Sequence, residues 1–352
     1  MQSPRMSEKD EVTPLFVSLG MLVLDELHLP DSTTQHNVIG GSGAYSTLGA
    51  RLAVEDSQSR RIASFVLAGH DFPYDKVEKH FRPWGIDYTI KRLPTTMSTR
   101  GRLEYHDWKF EHKSYSYLTT PLQPRPIDLP LRFLQSSTFH LLSSPDVLST
   151  QLSELSQRRL EHGITVQPLL VWEPAPLSCT ANFLDAYIDA ARLVDVFSPN
   201  HVELLGLCER SLKKHESFDK GLIEACATRF FATEHSNPRI CIVRCGEHGA
   251  VVLERNQSPD FRVKTTWVAP FFSPAEAGRV VDATGGGNTF LGAFAVEYQQ
   301  NRGDAVLAAR KASVAASFAL EQIGPPDFGE GTWNGVTVEG RMGEYLKRVE
   351  NS

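Results

Sequence analysis

No apolar run in this chain approaches the roughly 20 residues that a membrane-spanning helix needs. The opening Met1–Thr13 carries acids and lacks the apolar core of a secretory leader. The expected address is therefore intracellular, in the cytoplasm. Cysteine is sparse: Cys179, Cys208, Cys226, Cys241 and Cys245 are an odd five, all in the second half and none in a Cys-x-x-Cys pair. That pattern offers neither a disulfide framework nor a zinc site, and the five read as reduced core thiols. Positive charge is not in excess, since 36 Lys and Arg face 42 Asp and Glu for a net charge of −6. Broad attraction to nucleic acid or to a membrane surface is thereby disfavoured, and small-molecule chemistry fits better. The twelve histidines contain no His-x-x-x-His pair that would suggest a metal site. Internal repeats and low-complexity stretches are also missing.

What remains, 352 residues of which 41% are hydrophobic, is enough for one large core or two domains. Leu15–Leu24 reads as a buried strand ended by Asp25, a carboxylate placed where open α/β sheets keep their ligands. Gly40-Gly41-Ser42-Gly43 then opens a helix over Ala44–Val54. Arg61–Ala68 follows as a strand and Asp71–Trp84 as an amphipathic helix stopped by Gly85. Between Thr96 and Leu118, charged residues alternate with Leu103, Tyr105, Trp108, Phe110, Tyr115 and Tyr117, which predicts a β-hairpin turning at Asp107. Such a hairpin suits a lid over a pocket. Its alternative use is as an exposed edge that pairs with a second copy, giving a homodimer through the lid.

Strand and helix then alternate, with strands expected near Thr138–Leu142, Ile164–Val171, Leu193–Phe197 and Ile240–Val243. This predicts a mainly parallel sheet with crossover helices. Gly249–Glu254 and Phe261–Val268 read as later antiparallel strands, and Thr289–Gln299 and Asp304–Gln322 as alanine-rich helices. Pro325-Pro326 is expected to close a domain spanning residues 15–324, with 96–118 as its inserted lid and 325–352 as a peripheral C-terminal segment.

The stretch richest in chemistry is Asp282-Ala283-Thr284-Gly285-Gly286-Gly287-Asn288, where an apolar strand reading ends in a glycine turn that opens a helix. Glycines allow close backbone approach, so successive N–H groups can converge on an anion while the helix dipole adds partial positive charge. The plain alternative is a tight turn with Asn288 as helix N-cap.

This turn resembles the Asp-Thr-x-Gly-Ala-Gly-Asp turn of the ribokinase-like (PfkB) sugar and nucleoside kinases, with Ala283 and Gly286 substituting within the pattern. Gly40-Gly41-Ser42-Gly43-Ala44 resembles that family's amino-terminal diglycine signature, Asn200-His-Val-Glu203 its Asn-x-x-Glu motif, and Val243-Arg-Cys-Gly246-Glu-His-Gly249 its nucleotide-bordering loop. The four occur in the family's order between residues 15 and about 324. The resemblance implies an α/β three-layer sandwich with a mainly parallel sheet and a small β lid. It further implies ATP- and Mg2+-dependent transfer to a hydroxyl of a sugar, nucleoside or related metabolite. On it, Asp25, Gly40, Gly41 and Tyr45 border the acceptor, and Gly285, Gly286 and Gly287 form the anion hole. Asp282, Thr284, Gly246 and Gly249 lie with the nucleotide, while Asn200 and Glu203 organise Mg2+ and phosphates through water. Without the resemblance, Asn200 and Glu203 read as a helix start and Asp25 as a strand-end residue.

Two departures accompany the match. Asn288 stands where the family has its aspartate base, and an amide has no useful basicity near neutral pH. Tyr45 stands where sugar kinases place an asparagine against substrate hydroxyls. Asn288 with three preceding glycines also resembles a fungal branch of the family related to the maintenance-of-killer proteins. The sequence thus carries two readings: a kinase that draws its base from Asp25 or a water relay, and a pseudokinase that binds nucleotide or metabolite.

Overall fold

The apolar stretch that opens the core is two strands in two different sheets. The chain leaves the first strand at Gly20, where a side chain would strike Ser42 and the Gly43 nitrogen, and turns into the second. Uniform apolarity hid that break, and Asp25 consequently sits inside the second strand instead of ending the first. This computed structural model describes residues 12–106, 113–209, 218–231, 238–255, 263–301 and 303–350. The predicted turn at Asp107, the lid residues Trp108 and Phe110, and most of the opening segment lie outside the described residues.

The first half comprises β1 (Phe16–Ser18), β2 (Val23–His28), β3 (Thr34–Gly40), α1 (Ser42–Leu52), β4 (Ile62–Gly69), α2 (Tyr74–Trp84), β5 (Asp87–Leu93), β6 (Arg100–Tyr105), β7 (Lys113–Tyr117), α3 (Leu131–Leu134), β8 (Thr138–Ser143) and α4 (Pro145–Glu161). The second comprises β9 (Leu169–Pro174), α5 (Leu184–Ala191), β10 (Val196–Phe197), α6 (His201–Leu207), α7 (Lys220–Thr228), β11 (Ile240–Arg244), β12 (Ala250–Arg255), β13 (Val263–Val268), α8 (Gly286–Gln300), α9 (Ala305–Leu320), β14 (Phe328–Gly329), β15 (Thr332–Trp333) and α10 (Val338–Glu350).

Nine strands form the central sheet in the order β13-β12-β11-β10-β9-β8-β1-β4-β5. All pairs are parallel except those of β12 with β11 and β13. Successive strand residues point to opposite faces, so Phe16, Val171 and Ile242 join α1, α2, α8, α9 and α10 in one core layer. Val17, Trp172 and Val243 join α3 to α7 in the other. This is the three-layer α/β sandwich expected. β9 begins five residues later than Ile164, because Gly163 ends the preceding helix with a positive φ of 68° and the chain runs as a loop to Pro168. All five cysteines are buried.

The lid is larger than a hairpin. β3-β2-β6-β7 form a separate four-stranded sheet, in which β2 and β6 run parallel. β3 escaped the sequence reading because Thr-Gln-His-Asn is polar and carries little strand propensity. Beyond Pro326, Trp333 and Tyr345 are fully buried in the main core, and Arg341 donates to Ser317 of α9. Among the described residues no helix is long and apolar enough to cross a membrane.

Candidate active site

Two helices that touch backbone to backbone bring the two glycine turns together. A methyl group on Gly49 of α1 would lie 1.9 Å from the Thr289 carbonyl oxygen, and one on Gly292 of α8 would lie 1.9 Å from that of Ser46. Only glycine permits that crossing. The amino ends of α1 and α8 therefore meet beside the carboxyl ends of the parallel strands, where ligands bind in such sheets. Gly41 precedes α1 with φ 88° and Gly285 precedes α8 with φ 81°.

At the α8 turn, Thr284 donates its N–H to Asp282 Oδ1 at 2.9 Å, which closes the loop on itself. Gly286 donates to the Ala283 carbonyl, and Thr289 to that of Gly285. Among the described residues the N–H groups of Gly285, Gly287 and Asn288 have no backbone acceptor, and these three residues are partly exposed. The Cα faces of the two glycines are covered: the Tyr45 ring lies over Gly285, and Arg244 Nη1 lies 2.7 Å from where a Gly287 side chain would begin. Burial, reinforced by the Asp282 and Asp25 carboxylates, pushes the Tyr45 phenol well above its ordinary range. Tyr45 is thus an aromatic wall between the two turns.

Asn288 Nδ2 donates to Glu173 Oε2 at 2.6 Å. A carboxylate oxygen only accepts, so this contact fixes which end of the amide is which. Glu173, at the end of β9, is 4% exposed, and it meets Arg244 Nη1 at 2.6 Å and His140 Nε2 at 3.3 Å. Burial opposes ionisation of Glu173, but Arg244 and His140 outweigh it and hold the carboxyl below the usual range. His140 in turn meets Ser18 Oγ through Nδ1 at 2.9 Å. Arg244 ends β11, donates to the Ser198 carbonyl at 2.9 Å and lies 3.8 Å from Glu203 Oε2. From sequence, Trp172-Glu173-Pro174 reads either as a strand end near the pocket or as a packed core corner, and Arg244 falls within the stretch that resembles the nucleotide-bordering loop, but the local pattern assigns neither side chain a role.

Asn200 and Glu203 form the reciprocal cap of α6: Glu203 N–H donates to Asn200 Oδ1 and Asn200 N–H to Glu203 Oε2, both at 2.8 Å. Burial, relieved in part by Arg244 and aggravated by Glu173, pushes the Glu203 carboxyl up to about 7. Gly246 and Gly249 bracket the turn from β11 to β12, where His248 stacks on Phe218 with ring centres 3.9 Å apart. Among the described residues no group of three acidic, histidine or cysteine side chains gathers to hold a metal directly.

The lid faces this site. Tyr105 Oη of β6 donates to Asp282 Oδ2 at 2.8 Å, tying the lid to the glycine turn. Asp25 is 5% exposed on the same inner face, paired across to Val38 and Gly101.

A mainly parallel nine-stranded sheet, a lid that meets a glycine turn, and open N–H groups at a helix start together define a ribokinase-like protein. The chain belongs to the pfkB family of carbohydrate kinases, whose model matches residues 28–328. It is 29% identical to protein MAK32 of Saccharomyces cerevisiae over 97% of this chain and 95% of that one, so the resemblance to the fungal branch is borne out. The fold is similar to a ribokinase from Giardia lamblia, with a TM-score of 0.68 and 18% identity over 97% of this chain and 99% of the other. It is also similar to a putative ribokinase II of E. coli in complex with ATP and Mg2+, with a TM-score of 0.63 and 16% identity over 97% and 100%.

Proposed function

We propose that the chain transfers a phosphoryl group from ATP to a hydroxyl of a sugar, nucleoside or related metabolite bound under the lid. The observation that carries this is the set of N–H groups at Gly285, Gly287 and Asn288, which no backbone carbonyl takes up among the described residues. They stand at the start of a 15-residue helix, where dipole and donors together favour an anion. Positioning and electrostatics supply most of the catalysis of phosphoryl transfer, so this turn is the part that matters most.

In this reading Asp25 binds acceptor hydroxyls, with Gly40, Gly41 and Tyr45 shaping the pocket around it. Asp282 and Thr284 brace the turn, and Gly246 and Gly249 border the nucleotide. The oxygens of Asn200 and Glu203 are already engaged in their mutual cap, so they fit a cation held through water and not by direct ligation. Mg2+, when bound to the phosphates, would neutralise charge that develops in transfer. Because Asn288 turns its NH2 toward Glu173, its Oδ1 is the end left for an acceptor hydroxyl. That oxygen can orient the hydroxyl but not remove its proton, and the base is Asp25 or a water held by it.

The pseudokinase reading has its own support. The Tyr45 ring over Gly285 narrows the pocket, and the amide at 288 withholds a base effect of about 10²–10⁴-fold. Thermal shift and ADP release against a panel of sugars and nucleosides separate the two. Nucleotide-dependent shifts with acceptor-dependent ADP release support the kinase, and shifts without turnover support the binder. No shift with ATP and Mg2+ would end both.

A further inference from the structure

The connection from β13 to α8 runs from Ala269 to Gly285 with one short helical turn of its own, at Pro274–Arg279. It joins the two turns that the nucleotide reading uses. At its start the backbone abuts Gly249, where a side chain would begin 2.9 Å from the Pro270 nitrogen and 3.0 Å from the Ala269 carbonyl carbon. At its end Val281 and Asp282 both donate to the Leu320 carbonyl and lead into the glycine turn. Connections of this length with so little regular structure are uncommon unless they serve a site. The ties that shape this one come from α10, which follows the end of the family match at residue 328. Tyr345 Oη donates to the Ala269 carbonyl at 3.0 Å, and its ring stacks on Phe271 with centres 6.3 Å apart. Arg348 donates to the Phe271 carbonyl through Nη1 and meets Glu276 through Nη2 at 2.6 Å. Arg279 meets Glu344 of α10 at 3.2 Å and Glu321, just past α9, at 2.9 Å. Arg341 is 2% exposed and anchors the helix by bonding Ser317 and Glu321.

We propose that α10 is a clasp for the nucleotide site: Tyr345 and Arg348 hold the 269–281 connection so that the turn at Gly249 and the turn at Gly285–Gly287 keep the separation that ATP must span. This rests on the reading of those two turns as the nucleotide site, but not on turnover. Both side chains act through the backbone of the connection and are positioning residues. The Arg348–Glu276 and Arg279–Glu344 pairs are partly exposed, so they add little stability by themselves. What they fix is the path of the chain between two turns. With the clasp open, only a fraction of molecules holds the connection in its binding shape, and the apparent affinity for ATP falls by that fraction. None of these bonds reaches β2 or β3, so the residues around Asp25 are unaffected.

The test is calorimetric titration of ATP with Mg2+ into the full chain, well below its melting temperature, for Arg348→Ala, Arg348→Lys and Arg348→Ala combined with Tyr345→Phe. Leu155→Ala, a buried change on α4 in the opposite layer, is the control for lost stability. ATP binding should weaken about threefold in Arg348→Ala and about tenfold in the double variant, the factor for a connection correctly placed about a tenth of the time. Arg348→Lys keeps a charge and a donor and should bind within about twofold of the parent. Backbone amides of residues 269–287 should exchange with solvent faster in the double variant, while those of β4 keep the parental rate. Leu155→Ala should melt earlier yet bind ATP as the parent does, which a merely structural role for α10 would not predict. The clasp is overturned if both Arg348→Ala and the double variant bind ATP as tightly as the parent, if Leu155→Ala weakens binding equally, or if exchange at 269–287 is unchanged. A parent that binds no ATP overturns the nucleotide reading itself, and this proposal with it.

Discussion

Restoring the family's carboxylate by Asn288→Asp would seem the direct way to revive catalysis, but the structure predicts that it fails alone. The amide nitrogen stands 2.6 Å from Glu173 Oε2, and an aspartate would put an oxygen in its place. Two unit charges about 3 Å apart repel by about 5 kcal/mol at an effective dielectric of about 20. Arg244 cannot absorb the added charge fully, since Glu173 and the Ser198 carbonyl already engage it. The new carboxyl should therefore stay protonated through neutral pH. Its proton is held more tightly folded than unfolded, so stability falls as pH rises from about 4 toward 7, by about 4 kcal/mol. Urea unfolding at about pH 5 and pH 7.5 captures about 3 kcal/mol of this loss beside the parent. In Asn288→Asp with Glu173→Gln the repulsion is gone and Arg244 is released to the new carboxylate. The additional pH dependence should then vanish, and ADP release should gain the 10²–10⁴-fold that a general base supplies. If Asn288→Asp alone follows the parent's pH profile, Glu173 is not an ionised neighbour and the reasoning fails.

Glu203→Gln should flatten the parent's own pH dependence. Burial raises its carboxyl from 4.5 to about 7 in the fold, so parental stability drops by about 3 kcal/mol across that window as pH rises, and an amide that keeps the cap should remove the drop. A variant with the same slope as the parent would refute the raised carboxyl. Tyr105→Phe deletes the donor to buried Asp282 and should cost about 1–3 kcal/mol in chemical unfolding; an unchanged midpoint would mean the lid is not tied to the turn. Gly292→Ala should force α1 and α8 apart and cost about 3 kcal/mol or more, with weakened ATP binding because the two turns separate. Parental stability in that variant would show that the crossing can relax.

Glycine made the site legible. The turns at Gly40–Gly43 and Gly285–Gly287 announce themselves because backbone geometry there admits little else, and the order of four short motifs carried the fold. Local patterns also sufficed for α2, where Val77, Phe81 and Trp84 are buried on one side and Gly85 closes the helix at φ 69°. What escaped were relations between distant residues. The contact of Asn288 with Glu173 spans 115 positions and that of Tyr105 with Asp282 spans 177, and neither leaves a local trace. The lid's first two strands were hidden for a different reason. β2 continues an apolar run without a change of period, and β3 is too polar for its pattern to signal a strand.

The missing aspartate is better understood as one member of a set than as a single lesion. Glu173 is held ionised by Arg244 on one oxygen and by His140 on the other, and that second oxygen also takes the Asn288 amide. Asparagine at 288 adds a closer donor beside His140, whereas aspartate would oppose the carboxylate, so the residues at 140, 173, 244 and 288 form one chemically consistent set. A chain that had merely lost a base would be expected to let the surrounding charges relax. Here the amide is bonded, the guanidinium lies against the glycine turn, and the buried carboxylate between them is fully engaged. Such a set places a guanidinium and an amide, and no further carboxylate, beside the open N–H groups of the glycine turn. Activity, if it is found, should depend on Glu173 and Arg244 as strongly as on residue 288, and a variant series that treats position 288 alone would miss the coupling.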